Sequence, residues 1–335
     1  MHLLPLPTTF PVGPINAYLL EDPSTRSEPA LSLSKGQASL TLIDCGPKHP
    51  ESLAALEAGL AGHGYRIEDI RQLILTHHHV DHVGLAKTVA DRSGADVITH
   101  PFNTPYLSDY EAERVRNLPF YEQIWREGGV PEDIVEHMRQ SGAGISRWLD
   151  PVEITRTINE GDTITMGGAQ WRVYHTPGHA GGLICLFDPD TGELIANDHL
   201  LRDISSNPIV EPPPVGGAAG PRPKRLVEYI FHMQRMADLR PTVAYPGHGE
   251  VIHDVPALVR KRIAFHRRRA DKIYDTLKST PLTLWEITQP IFPKLKHGMD
   301  YFLGLSEILG HLDLLVEDGR VESMGEGELV KWRVC

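Results

Sequence analysis

Cysteine is scarce in this chain. Cys45, Cys185 and Cys335 are spread over 335 positions, and no two of them stand at metal-ligand spacing. That excludes a disulfide-stapled scaffold and a cysteine-based zinc site, and a reducing cytosol is the simplest setting. Long apolar runs are missing as well, so nothing has the length to span a bilayer, and residues 1–10 lack the basic start and apolar stretch of a secretory signal. Nor is there an excess of positive charge. Lys and Arg number 33 against 44 Asp and Glu, and the formal charge of -11 works against a global field for gripping nucleic acid. What remains is an ordinary globular composition, in a chain long enough for one large domain and a small one.

Histidine, in contrast, is dense in one place. His77, His78, His79, Asp81 and His82 stand within six residues, between Thr76 and Val83. So many imidazoles and a carboxylate are costly to bury together unless a metal holds them. Three later turns have the same look: Thr176-Pro177-Gly178-His179, Asn197-Asp198-His199 and Tyr245-Pro246-Gly247-His248-Gly249.

The surrounding pattern places these turns. Residues 12–20 and 39–44 read as strands, the second ending at Asp44-Cys45-Gly46, and the Ser- and Pro-rich stretch 21–29 between them reads as a hairpin excursion. Leu53, Leu56 and Leu60 give residues 50–62 a helical pattern, and 71–75 form a short buried strand that runs straight into the histidines. Helical spacing resumes at Val83, Leu85, Ala86, Val89 and Ala90, and 96–99 supply another strand. The cluster therefore falls at the C-terminal end of a strand and the mouth of a helix, the edge at which open sheets keep their ligands.

Residues 101–149 break the rhythm with two or three helices. Their aromatics pack against the body or wall a pocket over the metals, and the two roles are compatible; Phe102, Tyr106, Tyr110, Trp125 and Trp148 are the candidates for the wall. Strands return at 152–157, 162–175 and 182–187, the proline- and glycine-rich segment 211–221 reads as a surface loop, and a helix over 223–239 leads to a strand over 242–245. From 254 on the texture changes: a basic helix over 255–278, a second helix capped by Thr283 with Glu286 in capping-box position, a third over 300–317, and a terminal pair of strands. The expected organisation is a catalytic domain over 1–253 and a small winged-helix-like domain over 254–335.

In an extended loop residues 77 and 79 point the same way and His78 points away. This gives His77, His79 and His179 as ligands of one divalent ion and Asp81, His82 and His248 as ligands of a second, with Asp198 as the bridge because one carboxylate can give an oxygen to each. Two ions so bridged stand about 3.5 to 4 Å apart and hold a hydroxide between them, formed from a water whose pKa is lowered toward neutrality, so no separate base is needed. Asp81 and Asp198 are thus the catalytic carboxylates, and Asp81 can also orient the hydroxide or pass a proton on. Asp44 is a candidate acceptor for a ligand N–H, its alternative being a turn that closes a strand. His63, His100 and His199 read as surface or locally bonded histidines. Histidine and aspartate serve zinc, iron and manganese alike; zinc is the expected metal.

The pattern His-x-His-x-Asp-His at 77–82, with His179, Asp198 and His248, resembles the metallo-β-lactamase superfamily, in which those positions are metal ligands. Residues 15–19 and 42–46 extend the match over most of 10–255. The resemblance implies an α+β fold, an αββα sandwich with two mixed sheets face to face and helices outside. It is specific for fold and metals and silent on substrate. Asn197 stands where the family usually has glycine, and no cysteine serves the second ion, which separates this chain from the commonest antibiotic-hydrolysing branch. The motif around His248, followed by the basic helix and the winged segment, is similar to the subgroup named for β-lactamase-like protein 2. That subgroup and its glyoxalase-II-like neighbours imply ester, thioester or RNA hydrolysis.

RNA would rest on the basic stripe, with Arg260, Arg267 and Arg268 as phosphate contacts; the plainer reading is a solvated helix face. The third helix, which a DNA-reading winged helix would lay in a groove, carries Asp300, Glu307, Asp313 and Glu317 and no Lys or Arg. The module is better suited to packing against the catalytic body or a second subunit, which leaves a homo-oligomer open. Aromatic helices over 101–149 could enclose an apolar acyl group, and the basic helix could meet the phosphates of an acyl-CoA. The expectation is a cytoplasmic two-metal hydrolase of a small-molecule carboxylic ester or thioester, without membrane involvement. Endoribonuclease activity is the alternative, with lactam or lactone hydrolysis behind it. A noncatalytic metal-stabilised protein is weakest, since a structural zinc site would close the positions these ligands leave open.

Overall fold

Branched and aromatic side chains at alternate positions of short strands build two sheets that bury one face against each other. The computed structural model describes residues 1–22, 40–214, 221–326 and 328–335; most of the expected excursion at 21–29, and residues 215–220 of the proline-rich segment, lie outside the described residues. The first sheet runs in chain order through β1 (His2–Leu6), β2 (Ile15–Glu21), β3 (Leu40–Ile43), β4 (Ile70–Leu75), β5 (Asp96–Thr99) and β6 (Arg156–Thr157). Its first three strands pair antiparallel and the rest parallel. The second sheet contains β7 (Thr163–Met166), β8 (Ala169–His175), β9 (Ile184–Phe187), β10 (Glu193–Asn197) and β11 (Val243–Pro246) in the order β11-β10-β9-β8-β7, with only β10 and β11 parallel.

Between the sheets, Tyr18, Ile43, Ile74 and Ile98 meet Ile164, Trp171, Val173, Ile184 and Ile195, all buried. Each such side chain withdrawn from water contributes on the order of 1.5–3 kcal/mol. α1 (Pro50–Gly62) and α3 (Ala86–Ser93) cover the outer face of the first sheet through Leu56, Leu60 and Val89. α7 (Arg225–Asp238) covers the second through Leu226, Tyr229 and Met233. This is the αββα sandwich the sequence implied. Two strands of the sandwich escaped the sequence reading. Pro5 disguises β1 and is tolerated because β1 is an edge strand, while the apolar run of β10 is too short to signal itself.

The expected helices of 101–149 are α4 (Thr104–Ser108), α5 (Tyr110–Glu127) and α6 (Glu132–Ala143), flanked by single 3₁₀ turns. The C-terminal segment follows the order of a winged helix: α8 (Val255–Leu277), β12 (Leu282–Thr283), α9 (Leu284–Ile291), α10 (Gly298–Glu317), then the hairpin of β13 (Val321–Glu326) and β14 (Leu329–Val334). Thr283 accepts from the Glu286 amide at 3.3 Å while Glu286 accepts from the Thr283 amide at 2.8 Å, the reciprocal cap that starts α9. This module shares its core with the body. Met138, Leu226, Met233, Ile273, Ile308 and Leu312 belong to one buried cluster. The acids of α10 serve as ties: Asp313 takes both arms of Arg222 at 2.5 and 2.8 Å, Glu307 holds Arg269 at 2.8 Å, and Glu317 meets Lys224. Among the described residues no helix is long and apolar enough to cross a membrane.

At the same junction His311 Nδ1 donates to Glu307 O at 2.7 Å, His266 Nδ1 donates to His311 Nε2 at 3.3 Å, and Ser205 Oγ donates to His266 Nε2 at 3.0 Å. The two links that end on a ring nitrogen, at His311 Nε2 and His266 Nε2, require neutral rings. Burial, reinforced by His311 and Arg269, pushes His266 down to about 3 from 6.5, and burial pushes His311 down to about 4. Above pH 6.5 both rings are neutral in the folded and unfolded chain. As pH falls below 6.5 the unfolded chain takes up protons that the folded one refuses until about 4 and then about 3, so stability is lost through that window. A pH series of thermal melts on chelated protein should therefore show a melting temperature that falls between pH 6.5 and 4.5, and falls less in the His266→Gln, His311→Gln pair. Equal slopes would rule out this chain as the origin.

Candidate metal centre

One edge of the sandwich gathers the ends of five strands. β4 runs out into Thr76 to His79 and the single turn α2 (Val80–Val83); Asp44 follows β3, His179 sits between β8 and β9, Asp198 follows β10, and His248 follows β11. Ligand atoms of His77, His79 and His179 lie within 4.8 Å of one another, and so do those of Asp81, His82 and His248. Asp198 stands between the groups. Its Oδ2 is 3.5 Å from His179 Nε2, 3.5 Å from His82 Nε2 and 3.6 Å from His248 Nε2. All seven residues nominated from the sequence thus converge on one constellation.

The donor set fits divalent ions. His77 Nε2, His179 Nε2 and Asp198 Oδ1 are buried and have no hydrogen-bond partner, a state that native interiors rarely leave uncompensated. Protonation divides the two halves. Burial, then the neighbouring histidines, hold His77 and His79 well below the usual imidazole range, so they are neutral and ready to coordinate. Burial also works against the His82 and His248 imidazoliums, but Asp198 and Asp81 outweigh it and raise both. Burial likewise opposes the Asp198 carboxylate, and His82 and His248 overcome it, holding Asp198 well below the carboxylate range. A raised imidazole must lose its proton to coordinate, so a cation bound by His82 and His248 would displace protons.

Three of the five histidine rings are aimed from behind by a carboxylate or a backbone carbonyl. His82 Nδ1 donates to Asp44 Oδ2 at 2.8 Å, His179 Nδ1 to Asn207 O at 2.9 Å, and His248 Nδ1 to Pro14 O at 2.9 Å, which turns each Nε2 to the centre. Asp44 is both of the things its sequence suggested: a residue of positive φ (55°) at a strand end and an acceptor for a ligand N–H. It also takes the Thr76 amide at 2.9 Å, the Thr76 hydroxyl at 2.8 Å and Asn197 Nδ2 at 2.6 Å. Asn197, where glycine is usual, adopts φ 44° and uses its side chain, donating to Asp44 and accepting from the Asp198 amide at 2.8 Å. Glycine is required next to the centre at Gly247. A Cβ there would collide with Asp198 Oδ1 and lie 2.9 Å from His82 Cε1. Gly247→Ala is expected to cost about tenfold or more in metal affinity with the fold intact; metal content and far-ultraviolet dichroism check it, and undiminished metal would show that the loop gives way.

The family model for the metallo-β-lactamase superfamily matches residues 11–248. The chain belongs to that superfamily. Among its relatives is "Probable metallo-hydrolase YqjP" of Bacillus subtilis, 37% identical over 330 residues, which cover 98% of this chain and 96% of that protein. The β-lactamase-like protein 2 homolog of Caenorhabditis elegans is 25% identical over 88% of this chain and 80% of its own. An atrochrysone carboxyl ACP thioesterase of Aspergillus fumigatus is 25% identical over 71% of this chain and 41% of its own. Among solved structures, the metallo-β-lactamase family protein TTHA1429 from Thermus thermophilus superposes with a TM-score of 0.78 at 27% identity, over 100% of this chain and 98% of that one. The protein is a metal-dependent hydrolase of this superfamily, with a histidine and aspartate metal-binding cluster.

As in any member of the superfamily, what lies around the metal ligands decides the substrate. A cavity of about 580 Å³ opens over His79, Asp81, His179, Asp198 and His248. Tyr106, Tyr110 and Trp125 line it as expected, joined by Leu118 and Tyr121. Phe102 and Trp148 do not line it: Phe102 packs on His100 and His175 at 4.8 and 5.6 Å between ring centroids, and Trp148 on Phe10 at 5.4 Å. Sequence order could not separate them, because a short helix and its flanking turns present aromatics to both sides. The opposite wall comes from Ile204, Ile209 and the first turn of α10, with Met299, Phe302 and Leu303. No residue of α8 lines the cavity; Arg260, Arg267 and Arg268 are exposed, with Arg267 paired to Asp318.

Other histidines and one glutamate depart from the sequence reading. His199 is buried rather than at the surface, while His100 is locally bonded as expected, capping the turn at Pro101–Asn103 and stacking on His175, and His63 is exposed. His78 turns away from the metal ligands as expected, but into the cavity wall, where it faces Glu211 Oε1 at 3.4 Å. Glu211, read as the start of a surface loop, is buried. Only its long-range partners explain that, so no local signal could have found it; the same holds for the carbonyls of Asn207 and Pro14.

Proposed function

We propose that the protein is a binuclear hydrolase of carboxylic esters or thioesters with a sizeable apolar acyl group. The supporting observation is the cavity itself, aromatic and aliphatic on both sides and continuous with the ligand set. Its arginines are spoken for: Arg114 is held by Glu111 at 2.9 Å, and Arg139 by Glu122 and Glu132 at 2.8 Å each. The wall therefore offers little net positive charge to a polyphosphate or an RNA strand, and the exposed arginines of α8 lie outside it. The relative named as an ACP thioesterase points the same way.

In this reading His77, His79 and His179 hold one ion, Asp81, His82 and His248 the other, and Asp198 reaches both. Two divalent ions, zinc or else iron or manganese, would supply an activated water near neutral pH and a Lewis acid for the carbonyl oxygen. Asp44, Asn207 O and Pro14 O keep the imidazoles aimed. Asp81, 3.4 Å from His248 Nε2 and open to the cavity, is placed to accept and pass on a proton. The aromatic walls hold the acyl group and exclude bulk water.

Metal analysis of protein purified without added metal, with turnover assays on acyl-CoA, nitrophenyl esters, lactones and single-stranded RNA, tests this. Ester or thioester hydrolysis with two metal equivalents is expected. RNA cleavage abolished by Asp81→Ala, without turnover of any ester, would sink the substrate reading, and less than one equivalent after reconstitution would sink the two-metal one.

A further inference from the structure

Beside the metal-binding cluster, Asn207 Oδ1 and Glu211 Oε1 are acceptors of cavity-lining residues that are buried without a hydrogen bond, and of the two Glu211 carries the charge. Glu211 lines the cavity and is 5% exposed. Its Oε2 is fully used, by the Gly181 amide at 2.6 Å and Arg225 Nη2 at 3.1 Å. Its Oε1 is buried without a hydrogen bond and faces His78 Nε2 at 3.4 Å, while the His78 ring stacks on Tyr106 at 3.9 Å between centroids. A buried carboxylate oxygen without a donor is rare enough to require a partner. The charge of Glu211 already has one: Arg225 lies beneath it, buried, and also meets Glu228 at 2.9 Å. The missing partner is therefore a neutral donor and not a second cation. It is also close to the chemistry, since ligand atoms of Glu211, His78 and His79 lie within 4.8 Å of one another.

We propose that Glu211 Oε1 is a substrate-recognition acceptor, receiving a hydrogen bond from a hydroxyl on the apolar acyl group, beyond the carbon next to the scissile carbonyl. This rests on the ester or thioester reading above and narrows it. The hydroxyl lies within a few bonds of the carbonyl, because Glu211 and the ligand His79 are neighbours. A methylene in its place leaves the acceptor dry and unpaired, and a ketone sets oxygen against oxygen.

The chemistry of Glu211→Gln is specific. The amide must keep its oxygen toward the Gly181 N–H and Arg225, so its NH₂ turns to the cavity and an acceptor becomes a donor. The test uses matched carboxylic acids with hydroxyl, ketone or methylene at carbons 3 to 6, bound to the metal-loaded protein in a calorimeter, and their nitrophenyl esters in turnover assays. The unaltered protein should prefer the hydroxyl over the ketone by about tenfold or more at one position. In Glu211→Gln that ratio should shift toward the ketone by about tenfold or more. Because a buried ion pair is altered, the variant could fold poorly, and the preference of the unaltered protein stands as a test by itself.

Discrimination below about threefold at every position in the unaltered protein would overturn the proposal. So would a third metal equivalent that is lost in Glu211→Gln, which would make His78, His79 and Glu211 a cation site instead. Acid binding that keeps the hydroxyl preference while no ester or thioester is cleaved supports the subsite and removes the ester or thioester reading. Turnover of all the esters without preference does the reverse.

Discussion

On the two-metal reading proposed above, Asp198→Asn is expected to lower bound metal to one equivalent or fewer and to lower kcat/KM by on the order of 10³-fold or more. The reason is the position of one atom. Asp198 Oδ2 stands 3.5 to 3.6 Å from the Nε2 atoms of His179, His82 and His248, which belong to both halves of the ligand set, and Oδ1 is buried without a partner. Asparagine keeps the shape but removes the negative charge that balances two cations, and it can offer only one accepting oxygen. Because Asp198 also raises His82 and His248, the variant's free imidazoles should titrate lower, toward the ordinary range. Metal content by mass spectrometry, turnover, and proton release on zinc addition read these effects together. A variant that kept both equivalents and its activity would remove Asp198 from the bridging role.

The largest loss of stability is expected from Asp44→Ala, about 3–5 kcal/mol in a denaturant melt of the metal-free protein. Asp44 is fully buried and receives four hydrogen bonds: from the Thr76 amide, the Thr76 hydroxyl, His82 Nδ1 and Asn197 Nδ2. Alanine strands four donors in a dry interior. It also frees the His82 ring and the turn before Asp198, so metal affinity should fall by roughly 10- to 100-fold in the metal-loaded protein. Asp44→Asn retains one accepting oxygen and should fall between alanine and the native residue. A loss below about 1 kcal/mol for alanine would mean that water or neighbouring carbonyls satisfy these donors in its place.

The two residues also mark how far the chain could be read without its fold. Asp198 was legible because Asn197-Asp198-His199 has the look of the turns carrying His179 and His248, although the strand before it was not read. Asp44 was half legible: the turn was evident, but its four donors come from residues 76, 82 and 197, which only the pairing of β3 with β4 and the packing of the two sheets bring to it.

The same contrast governs the pocket. Tyr106, Tyr110 and Trp125 were chosen for the wall together with Phe102 and Trp148, and only the way the helices pack sends the last two elsewhere. The basic helix α8 left a substrate contact open beside the plainer reading of a solvated face, because charge in sequence carries no direction. In the fold its Arg269 and Arg262 turn inward, to Glu307 and to the carbonyls of Leu201 and Arg202, while Arg260 and Arg268 face solvent.

By itself the sequence determined the superfamily, a cluster of histidines and aspartates that the fold gathers at one sheet edge, and hence a metal-dependent hydrolase, because those residues stand in recognisable turns at strand ends. The tertiary structure alone decided what surrounds them: the first turn of α10 closing the cavity, and Glu211 brought from a proline-rich loop to face His78. Coordination demands fixed residue types at fixed turns, so it leaves a trace in sequence. A pocket is a surface assembled from residues as far apart as 10 and 303, and any apolar residue of suitable size can supply a part of it.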